Sequence, residues 1–176
     1  MRRFALFIVS ACLLVIAALR GQQSDGAKPY VFGWNEGEIL TDSQRRTTSI
    51  TVSPETGSTD LSFWTTEIPP NSNILVHRHD RTEEILFVHK GAGTLLLGDE
   101  QVEVREGATI YVPKGTYHGL ENTSGHPIVV AFVASPPDLV NFIRGISWRQ
   151  GDIPRQLTDV QIQELEKRYD SIARQQ

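Results

Sequence analysis

Two histidines one residue apart, His77 and His79, precede a short polar turn (Asp80-Arg81-Thr82) and then two adjacent carboxylates, Glu83 and Glu84. A third histidine, His118, lies in the later segment Gly107-Ala108-Thr109-Ile110-Tyr111-Val112-Pro113-Lys114-Gly115-Thr116-Tyr117-His118. Neutral imidazole and carboxylate are both good ligands for divalent transition metals. A His-x-His pair by itself is a weak signal, because most such pairs are surface histidines. The nearby carboxylates and the third histidine make it a candidate metal centre.

Such residues do chemistry only if the chain brings them together. A strand over residues 74–79 would project both imidazoles from one face, with the glutamates on the next antiparallel strand. The chain around them is a series of short apolar runs broken by turn signals. These runs are residues 61–64, 74–76, 85–88, 94–97, 101–104, 109–112 and 128–133, punctuated by Pro69-Pro70-Asn71, Gly98-Asp99, Pro113 and Pro136-Pro137. Seven or more punctuated strands predict an all-β sandwich or barrel, with a hairpin at Gly98-Asp99. The period then changes to helical. Ser135, Pro136 and Asp138 are placed to open a short helix that Gly145 would close. Thr158 and Gln161 have capping-box spacing, Leu157 and Ile162 that of a hydrophobic staple, and Ile162, Leu165 and Tyr169 share one helical face.

At this point the pattern resembles the cupin family. Its second motif is complete here in Gly107, Pro113, Gly115, His118 and Asn122. Its first motif fits from His77 onward, as His77, His79, four residues, Glu84, six residues and Gly91, with Asn71 standing where the family has its opening glycine. Asparagine tolerates the left-handed turn such a glycine adopts. Fifteen residues separate Gly91 from Gly107, as in compact microbial cupins. The resemblance implies a jelly-roll-like β-barrel, a double-stranded β-helix, over residues 30–135. A linker over 21–29 precedes it, and a C-terminal helical extension follows over 136–176. It also implies His77, His79, Glu84 and His118 as ligands of one divalent transition metal per chain: Fe, Mn, Ni, Cu or Zn. Periodicity alone does not separate Glu83 from Glu84, since both faces of the following run are apolar; the motif spacing selects Glu84. By the same parity His89 faces away from the metal.

Other candidates carry less. His126 sits in a turn between Asn122 and Pro127 and reads as an exposed loop residue. Tyr111 and Tyr117 flank the metal segment but read as packing or barrel-closure residues, Trp64, Phe63 and Phe132 as core, and Arg45-Arg46 as a solvated face. No Ser/His/Asp set, phosphate loop or dinucleotide glycine pattern is present, and no general base stands out beyond the ligands.

The N-terminus is separate in character. Met1-Arg2-Arg3 leads into sixteen nearly pure apolar residues, Phe4 to Leu19, and then into Gln22-Gln23-Ser24-Asp25-Gly26. This is the layout of a signal peptide over residues 1–20, or of an uncleaved N-terminal anchor. The expected location is periplasmic or secreted. Val9-Ser10-Ala11-Cys12 resembles a lipoprotein box, but the apolar run continues to Leu19 where a true box would end it. Cleavage removes Arg2, Arg3 and Arg20, taking the net charge from −4 to −7, and removes Cys12, the one cysteine. That leaves no disulfide and no thiolate ligand, and the acidic balance argues against a nucleic-acid partner.

The expected function is a metal-dependent oxidoreductase of the dioxygenase type acting on a small organic molecule. The alternatives are a non-catalytic small-molecule or metal-binding module, and a cupin isomerase or lyase. A homodimer is expected, with any membrane contact confined to the N-terminal segment.

Overall fold

The computed structural model describes residues 28–174; the expected signal segment lies outside the described residues. Ten strands carry the barrel: β1 (Glu38–Thr41), β2 (Thr47–Val52), β3 (Ser62–Ile68), β4 (Asn73–Arg78), β5 (Glu83–Lys90), β6 (Ala92–Leu97), β7 (Glu100–Arg105), β8 (Thr109–Val112), β9 (His118–Glu121) and β10 (Ile128–Ser135). Helix α1 (Leu139–Ile146), strand β11 (Trp148–Arg149), helix α2 (Asp159–Tyr169) and strand β12 (Ile172–Ala173) complete the chain. All pairings are antiparallel, in two sheets ordered β11-β1-β2-β3-β10-β5-β8 and β12-β4-β9-β6-β7. This is the all-β architecture that the strand pattern predicts, in the jelly-roll-like form that the resemblance implies, with short C-terminal helices.

The inner faces of the two sheets form the core. Across the larger sheet Ile50, Trp64, Phe132, Leu86 and Ile110 stand in one cross-strand row, all buried. Trp64 and Phe132 lie parallel with ring centroids 5.1 Å apart, an offset aromatic pair at the centre of the barrel. The Gly98-Asp99 hairpin forms as expected, joining β6 to β7, with Gly98 at φ +66°.

The C-terminal segment is built into the barrel. Strand β11 adds to the outer edge of β1, and β12 pairs with β4 so that Ala173 faces His77 and Ile172 faces Arg78. Thr158 caps α2 in the predicted capping box: its hydroxyl accepts from the Gln161 N–H, and the Gln161 side chain accepts from the Thr158 N–H. The start of α1 differs from the sequence expectation. Ser135 still belongs to β10, and Asp138 holds the N-cap position. Gly145 lies inside α1 rather than past its end. A Cβ there would meet the Leu165 side chain of α2 at 2.8 Å, so the glycine serves the close approach of the two helices.

Candidate metal centre

Pairing in the smaller sheet sets His77 of β4 directly opposite His118 of β9. His79 lies just beyond β4 and is 2% exposed. Its carbonyl accepts the Gly115 N–H at 2.6 Å, which ties the two histidine-bearing segments together. Gly115 sits at φ +77°, a left-handed conformation that favours glycine. On β5, Glu84, Leu86 and Val88 point inward and are buried, whereas Glu83, Ile85, Phe87 and His89 point outward. Ile85 and Phe87 remain 43% and 40% exposed, which is why apolar pattern alone did not distinguish the faces. The ligating atoms of His77, His79 and His118 all lie within 4.8 Å of one another. Glu84 Oε2 stands 3.0 Å from His118 Nε2 and 3.8 Å from His79 Nε2.

Hydrogen bonding assigns the tautomers. Each Nδ1 meets a backbone carbonyl: His77 that of Leu75 at 2.7 Å, His118 that of Thr116 at 3.1 Å, and His79 that of Asp170. A carbonyl only accepts, so each Nδ1 carries the proton and each Nε2 presents a lone pair. His79 Nε2 is buried with no hydrogen-bond partner. With the His118 proton on Nδ1, its Nε2 and the Glu84 oxygen oppose lone pair to lone pair. Such a buried cluster calls for a cation or an extra proton between them.

The electrostatics show the same demand for positive charge beside Glu84. Burial, and then the neighbouring His118 and His79, push His77 down to about 3, so it is neutral at physiological pH. Burial alone would raise Glu84, but His118 and His79 outweigh it and hold the carboxyl near 2. Burial likewise disfavours charge on His79, yet contact with Glu84 raises it overall. A divalent transition metal would supply that charge, and His77, His79, Glu84 and His118 are the residues that would hold it.

A residue that local spacing did not point to supports this cluster. Asp170 follows α2 in the left-handed region (φ 63°, ψ 38°) and is 5% exposed. Its carboxylate accepts the backbone N–H groups of Asp80, Arg81 and Thr82 at 2.9, 2.8 and 2.9 Å, and its carbonyl orients His79. Burial opposes ionisation of Asp170, but the donors of Arg81, Asp80 and Thr82 outweigh it and lower its pKa. Beside this junction, Tyr117 lies under both the Arg78 and Arg174 guanidinium groups, 5.2 and 5.0 Å from its centroid.

The cluster opens onto a cavity of about 550 Å³. Trp64, Leu86 and Phe132 line it from one sheet, Ile74 and Leu120 from the other, and Leu139, Phe142, Ile143 and Ile146 of α1 with Leu157 and Ile162 cover it. Arg46, read from sequence as part of a solvated face, also borders it. That arginine is held by Asp42 at 2.6 Å and donates to the Asn73 carbonyl at 2.9 Å. Tyr111, expected in packing, is instead 56% exposed on β8. His89 is exposed and lies tilted against Trp34, with ring centroids 4.1 Å apart. His126 is exposed as expected. Asn122 is a structural residue: its buried amide donates to the Ile68 and His126 carbonyls, both at 2.9 Å.

Residues 64–134 match the cupin domain family. The barrel is a cupin fold. Solved structures share it at low sequence identity. The polyketide cyclase RemF of Streptomyces resistomycificus is 18% identical, with a TM-score of 0.56 over 77% of this chain and 92% of that one. A predicted oxalate decarboxylase of Thermotoga maritima is 20% identical, with a TM-score of 0.55 over 60% of this chain and 98% of that one. In sequence, an uncharacterized protein of Methanocaldococcus jannaschii is 37% identical over 70 residues, 40% of this chain and 56% of that protein. The chain spans about half the length of the curated relatives it matches. The cupin neighbours differ in described activity, so the fold leaves the reaction open.

Proposed function

We propose that the chain is an exported metal-dependent cupin enzyme, an oxidoreductase of the dioxygenase type acting on a small organic molecule. The observation that carries this reading is the convergence of three histidine ligand atoms beside Glu84, with His77, Glu84 and His118 on the wall of a cavity of about 550 Å³. A purely structural metal site has no need of such space. A metal held by His77, His79, Glu84 and His118 would supply Lewis acidity and, for a redox-active ion, a partner for oxygen chemistry. The protein's own part is to hold each imidazole in the Nδ1–H tautomer, to keep Glu84 ionised, and to shelter a ligand under α1 and α2.

Elemental analysis of protein purified without chelator tests the metal, with about one transition metal per chain expected. Oxygen uptake across phenolic, enolic and carboxylic substrates then tests the reaction. Turnover without oxygen uptake would indicate an isomerase or lyase. A second reading, a binding module without turnover, draws on the polar groups of the barrel wall. Arg46 is engaged with Asp42, and Thr48 with Thr66, and the Glu166 carboxyl that also lines the cavity belongs to α2 rather than to the barrel wall. Saturable ligand binding without product would favour that reading.

Export rests on the run from Phe4 to Leu19. Pairing of two copies is also part of the proposal. Exposed Ile85, Phe87 and Tyr111 form an apolar outer face at the β5–β8 edge of the larger sheet, and the solution mass from light scattering tests it.

A further inference from the structure

We infer that the ligand of this cavity has a large apolar, ring-containing body and a single oxygen-donor end. It is not a small hydrophilic chelator or a polyhydroxylated sugar acid. The inference rests on the metal reading above and adds the substrate class to it.

Two observations carry it. First, the valences of the polar groups along the barrel wall are largely used. Arg46 is bound to Asp42 and to the Asn73 carbonyl. The Gln44 side-chain oxygen accepts from Ser72 and from the Asn73 N–H, and the Thr48 and Thr66 hydroxyls bond each other at 3.0 Å. A hydroxyl-rich ligand would therefore bury groups that find few partners, a loss that no packing recovers. The unsatisfied valence lies at the His77–His79–Glu84–His118 end. Second, most of the remaining wall is apolar and roomy, its polar members Arg155, Gln156, Glu166 and Ser171 lying on the C-terminal segment. The parallel Trp64 and Phe132 rings form one side, and Phe142, Ile143, Leu157 and Ile162 form the cover. A volume of about 550 Å³ lies within the range of pockets that enclose drug-sized molecules. An ion the size of oxalate would leave most of it unfilled.

The cover residues also place specificity outside the matched region 64–134. Four of them come from α1, α2 and the residue before the α2 cap. The C-terminal segment thus selects the body of the ligand, and the barrel strands hold the reactive end.

Calorimetric titration of the full chain, zinc-loaded and metal-free, tests this with three probes that share an oxygen-donor end: oxalate, salicylate and 1-hydroxy-2-naphthoate. Apolar burial predicts that hydroxynaphthoate binds the zinc-loaded protein at least about tenfold tighter than salicylate and about a hundredfold tighter than oxalate. The Phe142→Ala variant should lose at least about tenfold in hydroxynaphthoate affinity while zinc affinity stays unchanged. Leu157→Ser, at a partly exposed position, serves the same purpose should Phe142→Ala not fold. Oxalate binding as tightly as hydroxynaphthoate, or cover variants without effect on it, would overturn the substrate class and leave the metal reading intact. A chain that takes up no zinc but still binds hydroxynaphthoate would overturn the metal reading and leave the apolar cavity standing.

Discussion

Replacing Asp170 by glycine removes one carboxylate and leaves the backbone at ease, because glycine is the preferred residue at a left-handed helix end. The native residue sits there at φ 63° and ψ 38°. The cost can be worked from its partners. The carboxylate accepts three N–H groups at 2.8–2.9 Å. Asp80 and Arg81 are exposed, so water replaces the lost acceptor for them; Thr82 is 3% exposed and its N–H is left without a partner. With hydrogen bonds to a charged acceptor contributing about 1.5–3 kcal/mol and a buried orphan donor costing about 1–3 kcal/mol, the net loss is about 2–4 kcal/mol. Urea unfolding of the metal-free protein reads this directly. The same change loosens the turn between His79 and Glu84, and zinc affinity, measured by competition with a chromogenic chelator, should fall about 10–100-fold, as for other residues that orient ligands. Asp170→Asn keeps one acceptor oxygen and tolerates the left-handed conformation, so its losses should be smaller. A glycine variant that unfolds within about 0.5 kcal/mol of the native chain and binds zinc equally well would refute the reasoning.

Other outcomes follow from the same geometry. His77→Ala and His118→Ala should each lower zinc affinity by more than about a hundredfold, beyond the effect of orienting residues; elemental analysis showing unchanged occupancy would remove the site. Gly119→Ala places a Cβ 2.9 Å from the Ile74 carbonyl oxygen and 3.1 Å from the Val76 Cα, so β9 must move away from β4 beside His118. Overpacking of this kind costs about 1–3 kcal/mol, and both the thermal midpoint and zinc affinity should drop. Burial raises the Glu166 carboxyl, although a hydrogen bond from the Ala173 backbone opposes this. The ionised form therefore costs stability above the ordinary glutamate range, and that cost disappears as acid protonates the folded and unfolded chains alike. Glu166→Gln should accordingly raise the melting temperature at pH 7 and make no difference below about pH 4; equal midpoints at both pH values would contradict this.

Two short stretches of chain made much of this protein legible from its residues. The pair His77 and His79, the choice of Glu84, the turns at Asn71, Gly91, Gly107 and Gly115, and the partner His118 all belong to strands joined through local turns. Their chemistry depends on spacing, and spacing is written in the chain. Strands β3 to β8, strand β10 and the Thr158 capping box were readable for the same reason, being short-range patterns, whereas β1, β2, β9 and the two short C-terminal strands were not among the apolar runs. The inward face of β5 was not readable from periodicity, because Ile85 and Phe87 leave its outer face apolar too.

The remaining features arise from contacts between distant parts of the chain. Asp170 reaches His79 across 91 residues, and nothing about an aspartate at the end of a polar helix announces that it will hold another segment's turn. Arg46 looked solvated until folding placed it beside Asp42 and Asn73. The cavity is a property of no single segment: it is the space left between the two sheets and the covering helices. Residue types and spacing determined which atoms can bind a metal. Only tertiary packing decided what else can approach them, because enclosed volume and long-range hydrogen bonds exist only once the chain has closed on itself.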